Sequence, residues 1–202
     1  MSRILFDRAL EAAKAYHAAM PALPEFQHWP DDITWAGRAA RAVPAVALLQ
    51  ADSGTRAQDG PGAEETRALH LAVVALAPFA EWRLTYTEAE VGADFLNRFG
   101  WFELIGPEGH FHSLQTRMTV GYWGAGLHYP RHEHEPEELY AVLSGAALFE
   151  ADGEEARLLQ PGQTRLHRSL QSHALTTQDQ PILTFVLWRG QGLAIDPRMS
   201  AT

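Results

Sequence analysis

Two histidines stand two residues apart in the stretch RHEHEPEELYAVLSG, residues 131–145, and a glutamate and a tyrosine follow before the chain turns apolar. In a strand, residues two apart face the same way, so His132 and His134 project together. Beyond the turn that Pro136 imposes, Glu138, Tyr140 and Val142 share a face, while Glu137 has the opposite parity and is read as solvated. Imidazoles and a carboxylate converging from one wall are what a divalent cation takes as ligands. The zinc-protease pattern HExxH does not apply, because Glu135 and Pro136 follow His134. A further ligand is expected from a later strand, where His167 and His173 are available. His173 is preferred, since it follows the Pro161–Gly162 turn and an irregular segment at the head of a new run. Burying such groups unpaired is costly, which favours a shared cation over a purely structural cluster.

The remaining candidates carry less chemistry. His110 and His112, in GHFHS, repeat the spacing without a following carboxylate and are expected on a strand or turn surface. His17, His28 and His70 belong to the helical part and are read as uninvolved. Tyr122, Trp123 and Trp188 are read chiefly as barrel filling, with Tyr122 and Trp188 retained beside His132 as candidates for the wall of a substrate pocket.

The elements that must position these residues change character along the chain. Leu5, Ala9, Ala12, Tyr16 and Met20 recur at helical spacing and predict a first helix over residues 3–20. A proline-rich connection follows, then a second helix in AGRAARAVPAVALLQ that Pro44 must start or kink. ADSGTRAQDGPGAEE, residues 51–65, reads as a polar loop. Leu69, Val73, Leu76 and Ala80 mark a third helix, and the capping box Thr87 to Glu90 opens a fourth that is expected to close at Gly100. After about residue 105 short β-rich runs alternate with Gly, Pro, Asp and Ser turns, as in a sandwich or barrel. The division is therefore residues 1–104, a helical extension packed on the barrel, and 105–202, the barrel itself.

Composition narrows the classes. The 202 residues are 46% hydrophobic and 20% charged, as in an ordinary folded domain. With no cysteine, thiolate metal sites, disulfides and cysteine nucleophiles are excluded, and a transition metal must use His, Asp, Glu or Tyr. The formal charge of −9, without a basic block, argues against nucleic acid. The longest apolar run falls short of the roughly 20 residues a membrane helix needs, and Asp7, Glu11 and Lys14 interrupt any leader-like core, so a cytoplasmic protein without a membrane partner is expected.

The order His132, His134, Glu138, Gly145, followed by Pro161, Gly162 and His173, resembles the two motifs of the cupins, double-stranded β-helix barrels holding one divalent metal. YWGAGLHYPRHEHEPEELYAVLSGAALF, LQPGQTRLH and PILTFVLWRGQGL further resemble the small cupin-type dimethylsulfoniopropionate lyases, the DddQ-like group, which carry a helical N-terminal extension. The similarity is strongest over about residues 100 to 195. It implies a mainly β fold, a cupin jelly-roll barrel with an α-helical N-terminal extension. It also implies metal ligation by His134, Glu138 and His173, with Tyr140 as a further ligand or a base and His132 nearby; Tyr129 matches a second tyrosine of the group.

On that resemblance the cofactor is one divalent ion, zinc, iron, manganese, cobalt or nickel, and the substrate is a small sulfonium carboxylate. The reaction expected is removal of an α-proton by Tyr140 or Tyr129, loss of dimethyl sulfide from the β-carbon and release of acrylate. Alternatives left open are an iron-dependent cupin dioxygenase or isomerase acting on another small carboxylate, and a non-enzymatic cupin that binds one. The sequence leaves the oligomeric state open.

Overall fold

The computed structural model describes residues 2–52 and 62–200; most of the polar loop expected over 51–65, namely 53–61, lies outside the described residues. The first helix, α1 (Ser2–Ala19), buries Phe6, Ala9, Ala13 and Tyr16. Its inner face is therefore turned from the expected one: Leu5, Ala12 and Met20 are only partly buried at its flank. A short α2 (Ala22–Phe26) follows, and α3 (Ala45–Asp52) begins directly after Pro44, where a missing backbone N–H costs nothing. Helix α4 (Ala63–Leu76) packs along α1 and ends in a 3-10 turn, Ala77–Phe79. The indole N–H of Trp82 donates to the Ala77 carbonyl at 2.8 Å and helps close that turn.

Helix α5 (Glu88–Arg98) opens on the expected capping box, with Glu90 Oε2 accepting from the Thr87 N–H at 2.8 Å. It does not run to Gly100. The chain turns extended at Phe99, and FGWFELIG becomes a strand, with both 104 and 105 inside it. Every residue of this strand is buried, so it lacks the apolar–polar alternation that marks a half-exposed strand.

The strands are β1 (Thr34–Trp35), β2 (Phe99–Gly106), β3 (Phe111–His112), β4 (Arg117–Trp123), β5 (His128–Glu133), β6 (Glu137–Ala151), β7 (Arg157–Leu159), β8 (Thr164–His167), β9 (His173–Arg189) and β10 (Arg198–Met199). One path runs β1-β3-β2-β4-β9-β5-β10, while β6 pairs with β7, β8 and β9. The backbone of the barrel is the long antiparallel β6–β9 ladder, from Glu137 opposite Arg189 to Ala151 opposite His173. SHALTTQ and PILTFVLWRG, two runs in the sequence, are one strand across Pro181. Opposite that proline the register shifts, and Gly145 sits at φ +72°; a Cβ there would lie 1.7 Å from the Pro181 carbonyl oxygen, so only glycine fits. The fold is a β-barrel carrying its helices on one face.

Two apolar clusters explain how the barrel holds a site. In the first, α1, α3 and α4 pack on one face of the sheet, against Phe102 and Leu104 of β2, Met118, Val120 and Tyr122 of β4, and Leu139, Ala141 and Leu143 of β6. In the second, alternate residues of the same strands point into the barrel: Phe99 and Trp101, Trp123, Tyr140 and Val142, Val186 and Trp188. His110 belongs to the helical side and corrects the surface reading. It is buried, stacked on Phe6 at 4.1 Å between ring centres, and its Nε2 accepts from the Glu81 N–H at 3.0 Å. Helix α1 covers that sheet edge, a long-range event that local spacing does not announce. No helix among the described residues is long and apolar enough to cross a membrane.

Candidate metal centre and pocket

His132, near the end of β5, lies opposite His173 at the start of β9, and Glu138 in β6 lies opposite Trp188 of β9 on one side and His167 of β8 on the other. Sheet pairing thus draws residues 41 positions apart, from His132 to His173, into one buried cluster. His134 follows β5 and turns back under the Glu135–Pro136 bend. The Nδ1 atoms of His132, His134 and His173 lie 2.9, 2.8 and 2.7 Å from the carbonyl oxygens of Pro130, Pro136 and Gln171. A carbonyl only accepts, so each Nδ1 carries the hydrogen, and each ring in its neutral form presents a lone pair at Nε2.

Those lone pairs converge. Nε2 of His134 and Nε2 of His173 each stand 3.1 Å from Glu138 Oε2, and the ligand atoms of the three residues all lie within 4.8 Å of one another. His173 Nε2 is buried and makes no hydrogen bond despite its short approach to Glu138. The other carboxylate oxygen is engaged: Glu138 Oε1 accepts the Trp188 indole N–H at 2.8 Å. Trp188 also packs against His134, with ring centres 4.3 Å apart and the rings tilted by 32°. Backbone carbonyls and one indole therefore fix the tautomers and directions of the inner donors, as outer groups do around bound metals.

Electrostatics agree with a site built for charge. Burial favours a neutral Glu138, but the charge and hydrogen bond of His134 and the contact from His173 outweigh it and hold the carboxyl well below its usual range. Burial works against a charged His134, and Glu138 outweighs this and raises its pKa. His132 goes the other way: burial and the neighbouring His173 push it well below 6.5, so it stays neutral.

The pocket in front of the cluster is walled by Phe99, Trp101, Trp123, Tyr129, Tyr140 and Trp188, with Glu138, His132 and His134 at its base. Gly121 makes room in the wall; a Cβ there would meet the Trp123 ring at 2.5 Å. Arg117 enters between two indoles, its guanidinium 4.8 Å from both the Trp101 and the Trp188 ring, and Glu103 at 3.1 Å and Asp196 at 2.8 Å balance its charge. Tyr129 stacks on His132 at 3.9 Å and 19°, and Tyr140 approaches His173 edge-on at 6.5 Å. Burial raises the pKa of both phenols well above 10, and Glu138 adds to the effect on each.

Tyr122 is a correction. It does not line the pocket: its ring lies in the helix-side cluster and its hydroxyl donates to the Asp52 carboxylate of α3. On β4, residues 117, 119, 121 and 123 face the pocket while 118, 120 and 122 face the helices, so Trp123 occupies the wall position. His167, set aside in favour of His173, is buried directly behind it, the two rings stacked at 4.0 Å and 12°. Phe99, Trp101, Arg117 and Tyr86 escaped sequence reasoning. The first two belong to the unrecognised β2, and Tyr86 precedes a helix cap with no chemical motif around it.

Comparison with known proteins shows what the chain as a whole is similar to. The profile of the dimethylsulfoniopropionate lyase family matches residues 36–184. Dimethylsulfoniopropionate lyase DddQ of Ruegeria pomeroyi is 38% identical over 187 residues, which is 92% of this chain and 89% of that protein. Among solved structures, a chain from the crystal structures of the lyases RdDddP and RnDddQII is similar over 100% of both chains, with 53% identity and a TM-score of 0.94. The crystal structure of DddQ from Ruegeria pomeroyi is similar over 97% of this chain and 96% of that one, with 37% identity and a TM-score of 0.90.

Proposed function

The chain belongs to the dimethylsulfoniopropionate lyase family and is a carbon–sulfur lyase, and we propose that it cleaves dimethylsulfoniopropionate in the aromatic pocket above Glu138, by proton removal from C2 and loss of dimethyl sulfide from C3. One observation carries the reading: two imidazole lone pairs and one carboxylate oxygen, each oriented by a further hydrogen bond, meet at the base of an aromatic pocket.

These donors fit a divalent cation. In the Nδ1–H tautomer neither Nε2 can donate to Glu138 Oε2, so three electron-rich atoms face one another unless a proton or a cation lies between them. His134, Glu138 and His173 would hold the ion, with Tyr140 as a candidate fourth ligand. The nitrogen and oxygen donor set suits zinc, iron, manganese, cobalt or nickel. Two neutral imidazoles and one carboxylate leave a divalent ion with net positive charge, which when bound would draw the substrate carboxylate and acidify its C2 hydrogens.

The chain's own residues supply the remainder. The indole and phenol faces of Trp101, Trp123, Tyr129 and Tyr140 offer a sulfonium cation a wall without a formal counter-charge. The same rings keep water from the reacting carbons. Tyr129 or Tyr140, as its phenolate, takes the C2 proton; that anion, opposed by burial and the Glu138 charge, would be favoured by a cation held in the cluster. The C2–H electron pair becomes the new double bond, the C3–S pair leaves with dimethyl sulfide, and acrylate remains. The test is to incubate metal-loaded protein with dimethylsulfoniopropionate and measure dimethyl sulfide in the headspace and acrylate in solution in equal amounts. Gas no greater than the buffer control removes the reading.

A further inference from the structure

The hydroxyl of Tyr129 is hydrogen-bonded to another phenol: Tyr86 Oη, 2.8 Å away, on a residue 43 positions earlier in the chain. Tyr86 lies on a short connection fixed at both ends. Upstream, Arg83 and Trp101 exchange backbone hydrogen bonds at 2.7 and 3.2 Å, and the Trp101 indole N–H donates to Thr85 Oγ1 at 2.8 Å. Downstream, the capping box of Thr87 and Glu90 anchors the first turn of α5. Tyr86 is buried behind Tyr129, with ring centres 5.8 Å apart at 60°. Tyr129 is itself held on other sides by His132, Phe95, Phe99 and Trp123.

Two phenols in contact have two hydrogens and one bond between them, so either could donate while both are neutral. The choice vanishes if Tyr129 accepts the substrate proton: before reaction its oxygen carries no hydrogen, and only Tyr86 can donate. We propose that Tyr86 is a positioning residue for the lyase reaction, its O–H donating to Tyr129 Oη and holding that oxygen as the proton acceptor facing C2. This rests on the reading above that a pocket phenol is the base, and assigns that role to Tyr129. The proton leaves C2 for Tyr129 Oη, the C2–H pair forms the double bond, and the C3–S pair departs with dimethyl sulfide. The protonated Tyr129 keeps its contact with Tyr86 throughout.

The groups facing the pair explain why a donor is needed there. His132 stacks on Tyr129 and is neutral, Tyr140 and Glu138 approach from β6, and Glu90 of α5 and Asp196 of the C-terminal segment act on Tyr86. Burial is the main effect opposing an anion on Tyr129, and Tyr140 and Glu138 add to it. Tyr86 opposes that anion while it accepts the bond from Tyr129 and favours the anion once it donates.

The test compares Tyr86→Phe and Tyr129→Phe in the metal-loaded, full-length protein, with kcat and KM followed against pH. Tyr86→Phe should lower kcat by about tenfold or more, leave KM within about twofold, and move the acid limb of the kcat profile up by about one pH unit at unchanged metal content. Replacing Tyr86 with a fluorinated tyrosine, a stronger donor of the same shape, should move that limb down. It also decides the matter should Tyr86→Phe fold poorly. A wild-type profile in Tyr86→Phe, with Tyr129→Phe inactive, overturns the role of Tyr86 alone. Full activity in Tyr129→Phe overturns the assignment of the base and, with it, this inference.

Discussion

Trp188 donates its indole N–H to Glu138 Oε1 at 2.8 Å, which leaves Oε2 as the oxygen that faces both His134 and His173. The pairing is built into the ladder, because Glu138 and Trp188 are cross-strand partners of β6 and β9. A carboxylate held by one oxygen presents the other in a fixed direction, and that direction is what a cation samples. Trp188→Phe keeps a ring against His134 but removes the donor. Affinity for the divalent ion should fall about 10- to 100-fold, measured by competition with a chromogenic chelator. Affinity equal to wild type would mean that the indole serves packing alone.

Removing the metal should lower stability as well as activity. The cluster joins β5, β6 and β9, so an ion held there ties three strands together and binds only the folded chain. With free metal at about 100 times its dissociation constant, the gain is about 2.7 kcal/mol, or roughly 5 to 10 °C in thermal midpoint for a chain of this size. Dialysis against a chelator should remove that increment, and re-addition should restore it. His173→Ala should show a midpoint indifferent to metal and chelator alike.

The two aromatic neighbours at the end of β4 should separate cleanly. Tyr122 joins the barrel to α3 through Asp52, away from the pocket, whereas Trp123 is in the wall. Tyr122→Phe should therefore cost about 1 to 3 kcal/mol in denaturant unfolding, from the lost hydrogen bond to the half-buried Asp52 carboxylate, and leave kcat and KM near wild type. Trp123→Ala should raise KM for the sulfonium substrate by at least about tenfold, since a face for the cation is lost. A kinetic defect in Tyr122→Phe without loss of stability would restore Tyr122 to the pocket.

That pair also shows where reading a sequence stops. His132, His134 and Glu138 were legible together because strand parity and one proline bend lie within seven consecutive residues. His173 was reachable because a turn motif precedes a new β run. Which side of β4 faced the pocket was not legible, since helices cover one face of the sheet and the barrel interior fills the other, so MTVGYW buries an aromatic residue on each parity. The same double burial hid β2 in what resembled the end of a helix, and with it Phe99 and Trp101. Tyr86 and His110 gain their partners only when segments far apart in the chain pack together: Tyr129 for the one, Phe6 and Glu81 for the other.

His110 should make the protein sensitive to mild acid independently of the metal cluster. Burial is the main cause that lowers its pKa from 6.5 to about 4, with Arg83 and Arg38 adding to the effect and Glu81 opposing it. The neutral ring is also required by geometry, since Nε2 must accept the Glu81 N–H. Between these two pKa values the unfolded chain binds a proton that the folded chain refuses. Stability from this residue is thus complete above pH 6.5 and is lost as pH falls towards 4. The window spans about 2.5 pH units, which corresponds to about 3 kcal/mol. His110→Gln keeps an acceptor for the Glu81 N–H but cannot titrate. Measured by denaturant unfolding in the metal-free protein, the variant should lose less stability than wild type across that window, by about 1.4 kcal/mol per pH unit in its middle. Parallel pH dependences for the two proteins would show that His110 is protonated in the folded state as readily as in the unfolded one.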